Sequence, residues 1–390
     1  MILAAKRMYK EMTVSAQVLE IDEKHKASTA SPSRISDFTF HAGDSIPANV
    51  IVANPAISLY CLDDANRCAV FVETDPGFDL LQAPFHYMAQ HEHARRLIIL
   101  AYDEFIQLAD DMGQIDHLVS IYNVGRSGST LLSQIFGQVE NVVSLSEPEV
   151  LTSCAFLREP NGSRDDELVA LIRSSIRLLC QPRGQYVYAI KWRDWLIQLA
   201  DLIHRAWPQG KNIFLYRNAE TWLNSWHRLY TQFGIDFDAV AGESWIGIEQ
   251  EAWPPLLPLF RKYTEDYEKA LVVDDLIAMW LSDMDGYLNM HNRSVPFLAL
   301  RFEDLNVHRQ EVVQMLFDYC NIPVAEVPTA LKAFERDSQE GTPLEGASQQ
   351  DEVQFTLTEK YLSRLHATLQ KHPMIHHPGF DVPNTYRFKE

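Results

Sequence analysis

The chain has 390 residues, 46% of them hydrophobic, which excludes both a minimal domain and a globally disordered polymer. Its 34 basic and 53 acidic residues leave a net charge of −19, which excludes a general nucleic-acid or anionic-membrane surface, because such partners attract positive fields. A small anionic ligand would need a local pocket of Arg, Lys and backbone N–H groups set against that global field. Five cysteines, Cys61, Cys68, Cys154, Cys180 and Cys320, form no C-x-x-C pair and read as reduced thiols. The apolar run in MILAAKRMYKEM is too short for a signal peptide, and no window reaches the length of a membrane span. The expectation is a cytoplasmic protein with no membrane span and no nucleic-acid partner.

Residues 1–35 are polar and mixed and read as a loose lead-in. From 36 to 115 a small α+β accessory region is expected. ISLYCLD and CAVFVET suggest a hairpin, FHYMAQHEHARRLI a helix, and AYDEFIQLAD a second amphipathic helix. From 117 the pattern repeats as strand, turn and helix. HLVSIYNV, VVSLSE, YVYAIKW, NIFLYR and PFLALRF are strand candidates; STLLSQIFGQ, DWLIQLADLIHRAW, AETWLNSWHRLY and HRQEVVQMLFDYC are helix candidates. This alternation predicts an α/β fold: a P-loop-like parallel sheet flanked by helices on both faces, with the main domain over 116–390. Ligands of such sheets bind beyond the carboxyl ends of the strands.

Gly125-Arg126-Ser127-Gly128-Ser129-Thr130 follows the first of these strands and opens a helix. Glycine lets the backbone turn tightly, and successive N–H groups at the helix start present positive dipoles to an anion. The nucleoside triphosphate version of this turn needs G-x-x-x-x-G-K-[ST]; the Gly-Lys pair is missing here and the cation comes early, as Arg126. A second pattern follows a later strand: Arg217, then Ser225 eight positions on. The planar fork of Arg suits paired bonds to a phosphate.

GRSGSTLL resembles the phosphosulfate loop of sulfotransferases that use 3'-phosphoadenosine 5'-phosphosulfate (PAPS), in the branch written P-R-S-G-T/S-T-L that includes the tyrosylprotein-type enzymes. Gly125 stands where that branch has Pro, a change expected to be mild because either residue suits a turn. The Arg217–Ser225 spacing resembles the family's 3'-phosphate motif, and LRFEDL (300–305) its R-Y/F-E-D-L segment. The resemblance spans roughly residues 117 to 345 and marks 116–390 as a sulfotransferase domain. It implies cofactor contacts at Gly125, Arg126, Ser127, Gly128, Ser129, Thr130, Arg217 and Ser225. In the Asp337–Gly341 loop it implies a contact at Ser338. PAPS would be the donor and 3',5'-adenosine bisphosphate (PAP) the spent product, with no metal required.

The chemistry is in-line transfer of a sulfuryl group to a hydroxyl or amine acceptor, which needs a base for the acceptor and cations for the leaving group. By the same resemblance the base is Glu147, at the end of the strand beside the loop, with Glu149 the neighbour that competes for the role. Lys191, at the end of YVYAIK, and Arg126 would meet the leaving charge. Glu147 also suits a structural role beside a helix N-terminus. The acceptor could be a small molecule, a glycan, a lipid or a carrier-bound chain; neither it nor the oligomeric state is legible. Segments 36–115 and 231–270 are expected to wall it. Two other functions fit the same turn: a nucleotide-dependent P-loop kinase and a non-catalytic nucleotide-binding module. His91-Glu92-His93 lacks the spacing of a zinc site. Asp110-Asp111 and Asp274-Asp275 read as solvated faces.

Overall fold

The computed structural model describes residues 14–26, 31–181, 186–241, 262–264, 269–340 and 356–388. Two five-stranded sheets organise them. Strands β1 (Ser15–Lys24), β2 (Phe38–Pro47), β3 (Ile57–Asp63), β4 (Cys68–Thr74) and β5 (Ala94–Ala101) form an antiparallel sheet in the order β2-β1-β5-β4-β3. Strands β6 (His117–Asn123), β7 (Val142–Ser146), β8 (Val187–Lys191), β9 (Lys211–Tyr216) and β10 (Leu298–Arg301) form a parallel sheet in the order β10-β9-β6-β8-β7.

The α/β expectation holds. Side chains along β6 divide between two cores: Leu118 and Tyr122 on one face, Val119 and Ile121 on the other. Period-two alternation forces that division, and apolar residues on both faces require covers on both. Helices Ser129–Gly137 and Arg309–Cys320 bury Leu132, Phe136, Val313 and Phe317 on the second face. Helices Asp165–Cys180 and Val272–Asn292 bury Leu171, Ile172, Leu276 and Met284 on the first.

That first core runs on without a break into the antiparallel sheet, through Val18, Leu59, Phe71 and Ile98. The opposite face of the antiparallel sheet has its own small cluster around Phe38, Tyr60, Val70 and Leu97.

Local reading and structure part company in four places. The stretch read as a loose lead-in contains β1, which pairs with both β2 and β5. The helix expected over 85–98 stops at His93, and Ala94–Ala101 is a strand. It lies between β1 and β4 and buries Leu97 on one face and Ile98 on the other, so it carries no alternation that a local reading could detect. The helix expected over 194–207 begins as a 3-10 turn, Asp194–Leu199, before Ala200–Ala206. Finally, the acidic pairs are not simply solvated: Asp275 is buried, Asp274 binds Arg364 at 2.7 Å, and Asp110 binds Arg177.

Candidate functional site

Four strands of the parallel sheet deliver their carboxyl ends to one rim: β6 into the glycine-containing loop, β7 into Glu147, β8 at Lys191 and β9 into Arg217. The loop takes left-handed backbone at Arg126 (φ 59°) and again at Gly128 (φ 81°). A Cβ at Gly128 would stand 2.8 Å from the ring of Phe302, so glycine is demanded both by conformation and by space. The hydroxyl of Ser127 donates to the Leu215 carbonyl (3.2 Å) and that of Ser129 to Asn123 Oδ1 (3.0 Å). Asn123 in turn donates to the Trp192 carbonyl at 3.0 Å. These two serines therefore lash the loop to β9, β6 and the end of β8.

Gly125 is tighter than a turn alone would need. A Cβ there would lie 3.1 Å from Asp194 Oδ2 and 3.5 Å from the Trp226 ring, and the Gly125 carbonyl accepts from Trp222 Nε1. A side chain there would crowd the Asp194 carboxylate, a constraint that turn preference does not register.

Beside the loop, cations converge. Arg126 Nε donates to Ser225 Oγ (3.3 Å), and its NH1 to Gln339 Oε1 (3.2 Å). Arg217 NH1 donates to the Arg126 carbonyl (3.3 Å), its Nε donates to Thr221 Oγ1 (3.0 Å), and its guanidinium lies 4.4 Å from the centroid of the Phe302 ring. Burial, with the like charges of Arg228 and Arg217 added, pulls the pKa of Arg126 down to about 10, against a smaller opposing pull from Asp337. The helix Ala219–Gln232 explains the grouping. Thr221, Ser225 and Arg228 recur at helical spacing, and Asn218 caps its start by accepting from Glu220 N at 2.9 Å. Ser338 joins the same region through its carbonyl, which accepts from Gln134 Nε2 at 3.0 Å.

On the other side of the loop stands a second group. The Lys191 ammonium, 2% exposed, donates to the Glu147 carboxylate and, at 3.4 Å, to Thr130 Oγ1. Glu147 also has left-handed backbone (φ 57°), an uncommon state for a residue with a Cβ. Two residues on, Glu149 is buried against Arg193 (2.8 Å), and the Arg193 guanidinium lies between the rings of Tyr87 (4.4 Å) and Trp195 (4.1 Å). Burial raises the pKa of Glu149 despite that partner. Of the two glutamates, Glu147 alone directly contacts the Lys191 ammonium; Glu149 is taken up by the packing of Arg193. Trp192 is core, as aromatic burial favours.

The expected residues lie along or beside this rim, but the Ser127 and Ser129 hydroxyls are turned onto the protein itself and Glu149 is buried against Arg193. Sequence reasoning gave no role to Arg228, Phe302 or Asp194, and reached Gln339 only as part of the Asp337–Gly341 loop. Arg228 lies three residues beyond Ser225, a helical spacing that points to it. Phe302 lies within the quoted LRFEDL run, and Gln339 adjoins Ser338. Asp194 has no local signal. Gly341 and residues 242–261 and 265–268 of the expected acceptor wall lie outside the described residues. No helix among the described residues is long and apolar enough to cross a membrane.

No protein-family model matches the chain, and no curated protein matches it. Among solved structures, the sulfotransferase domain from the curacin biosynthetic pathway aligns with 58% of this chain and 80% of its own, at 17% identity and TM-score 0.37. A sulfotransferase from Mycobacterium avium aligns with 71% of this chain and 82% of its own, at 11% identity and TM-score 0.41. A mouse sulfotransferase complexed with PAP aligns with 70% and 91%, at 12% identity and TM-score 0.37. Likeness at this level decides nothing about activity; the residues at the rim have to carry it.

Proposed function

We propose that the chain is a PAPS-dependent sulfotransferase. The observation that carries this reading is the placement of two complementary groups on either side of one loop. Arg126, Arg217 and Arg228 gather beside the loop, within a chain of net charge −19. Lys191 and Glu147 stand at adjacent strand ends on its other side. Guanidinium forks and hydroxyls are the donor set that suits a phosphate monoester. The sequence resemblance of GRSGSTLL and of the Arg217–Ser225 spacing supports the same assignment.

When bound, the donor supplies a sulfuryl group on a good leaving group. The roles assigned to the residues rest on the family resemblance together with their chemistry. Arg217, Ser225 and Arg228 hold the 3'-phosphate. The loop backbone with Thr130 holds the 5'-end. Glu147 accepts the proton of the acceptor hydroxyl as the new S–O bond forms. Lys191 and Arg126 meet the charge that develops on the departing phosphate oxygen. The contact between Lys191 and Glu147 orients both groups beforehand.

The test is calorimetric titration with PAP in the absence of magnesium, with ATP as the control. Micromolar PAP binding that weakens in Arg217→Ala, with ATP inert, supports the reading. Binding of ATP only with magnesium overturns it in favour of a kinase.

A further inference from the structure

We infer that Phe85, carried in from the antiparallel-sheet region, walls the reacting centre on its acceptor side and keeps water away from it. This rests on the sulfuryl-transfer reading. The segment between β4 and β5 passes beside the ends of β7 and β8. Its 3-10 turn Leu80–Gln82 packs against β7. Phe85 follows in extended backbone (φ −133°, ψ 98°), ahead of helix His86–His93. Its ring centroid lies 5.5 Å from the Lys191 ammonium. Tyr87, buried two residues on, holds the Arg193 guanidinium at 4.4 Å. Tyr87 thus anchors the segment on the residue two beyond Lys191, and the position of Phe85 follows from that anchor.

The Lys191 ammonium therefore has a carboxylate, a hydroxyl and an aromatic face around it. An aromatic face attracts the cation without offering a proton acceptor or a path for water. Water is the competing nucleophile of sulfuryl transfer. Its oxygen forms the new S–O bond, the S–O bond to the bridging phosphate oxygen breaks, sulfate and PAP are released, and the two protons of the water pass to solvent or to the 5'-phosphate. An apolar wall at this place disfavours that loss and favours acceptors whose hydroxyl is flanked by an aryl or alkyl group.

The experiment is release of labelled sulfate from PAPS without any acceptor, measured beside PAP affinity by calorimetry. Phe85→Ala is expected to raise hydrolysis about tenfold, a barrier change of about 1.4 kcal/mol, while PAP affinity stays within about twofold. Phe85→Leu should fall between alanine and the native chain. A gain of hydrolysis cannot come from misfolding. If Phe85→Ala fails to fold, Phe85→Val is measured in its place, with the same rise expected. Unchanged hydrolysis with PAP affinity intact overturns the inference alone. A native chain that binds no PAP overturns the donor reading and this inference with it.

Discussion

Glu147 and Lys191 are joined twice: the Glu147 backbone N–H donates to the Lys191 carbonyl at 2.7 Å, and the Lys191 ammonium donates to the Glu147 carboxylate. The backbone bond continues the β7–β8 pairing by one residue beyond Ser146↔Lys191. The left-handed backbone at Glu147 then turns the chain out of the sheet. The proposed base and its cation are thus set by sheet register, which is a more rigid way to hold two groups than a free loop.

From this follows the first expectation. Glu147→Gln should lower the transfer rate by about 100-fold or more, the usual worth of a positioned base. PAP affinity should change little, because the 3'-phosphate group of residues is untouched. Single-turnover transfer of labelled sulfate, read beside a PAP titration, checks both halves. A rate within a few-fold of native would move the base elsewhere.

The arginine group makes a second. Arg217→Ala should weaken PAP by about 10- to 100-fold, as expected for losing charge-assisted bonds worth about 1.5–3 kcal/mol. Arg228→Gln should weaken it less, because Arg228 lies one helical turn beyond Ser225. Affinity should also fall as salt rises, with a shallower slope in either variant. Calorimetry at two ionic strengths reads all of this.

Asp283 supplies a pH dependence. It is 3% exposed on helix Val272–Asn292, and burial, with Asp194 adding, raises its pKa well above the ordinary value of 3.8. The folded chain therefore keeps a proton that the unfolded chain releases once the pH passes its ordinary pKa. Between that value and the folded pKa the native state binds more protons, so this group makes stability fall as pH rises, by up to about 1.4 kcal/mol per unit. Asp283→Asn should be more stable than the native chain at pH 8 and should lose part of the slope. Denaturant melts at pH 5, 6.5 and 8 test this, and a variant less stable at every pH would refute it.

Glycine geometry makes the fourth. Gly128→Ala sets a Cβ against the Phe302 ring at a left-handed position, so a loss of about 1–3 kcal/mol is expected. Gly125→Pro, the residue of the resembling family, should also destabilise, because Asp194 holds the space. A second change, Asp194→Ala, should recover part of the Gly125→Pro loss. Urea midpoints of the single and double variants measure that coupling.

The placement of much of the candidate site was legible because its parts are local in the chain. The loop carries its glycines and Arg126 in one short run, Arg217 and Ser225 share one strand-to-helix turn, and Glu147 and Lys191 each end a strand whose apolar run is plain. Other parts were hidden. The serines Ser127 and Ser129 looked like ligand donors, yet their hydroxyls serve the backbone and Asn123. Spacing alone cannot tell an outward hydroxyl from one that fastens a loop. Strand β1 reads locally as a polar lead-in because most of its residues are polar; pairing with β2 and β5 makes it a strand.

By itself the amino-acid sequence determined the alternation of strand and helix, the parallel sheet that follows from it, and the turn that gathers backbone donors at the end of β6. Each depends on side-chain period and backbone conformation within a few consecutive residues. Only the tertiary structure decided that the antiparallel sheet shares the main core, that Asp194 fills the space beside Gly125, and that Phe85 lies over Lys191. These contacts join residues on different elements. They arise from how two apolar faces and their buried charges pack together, which no local pattern encodes.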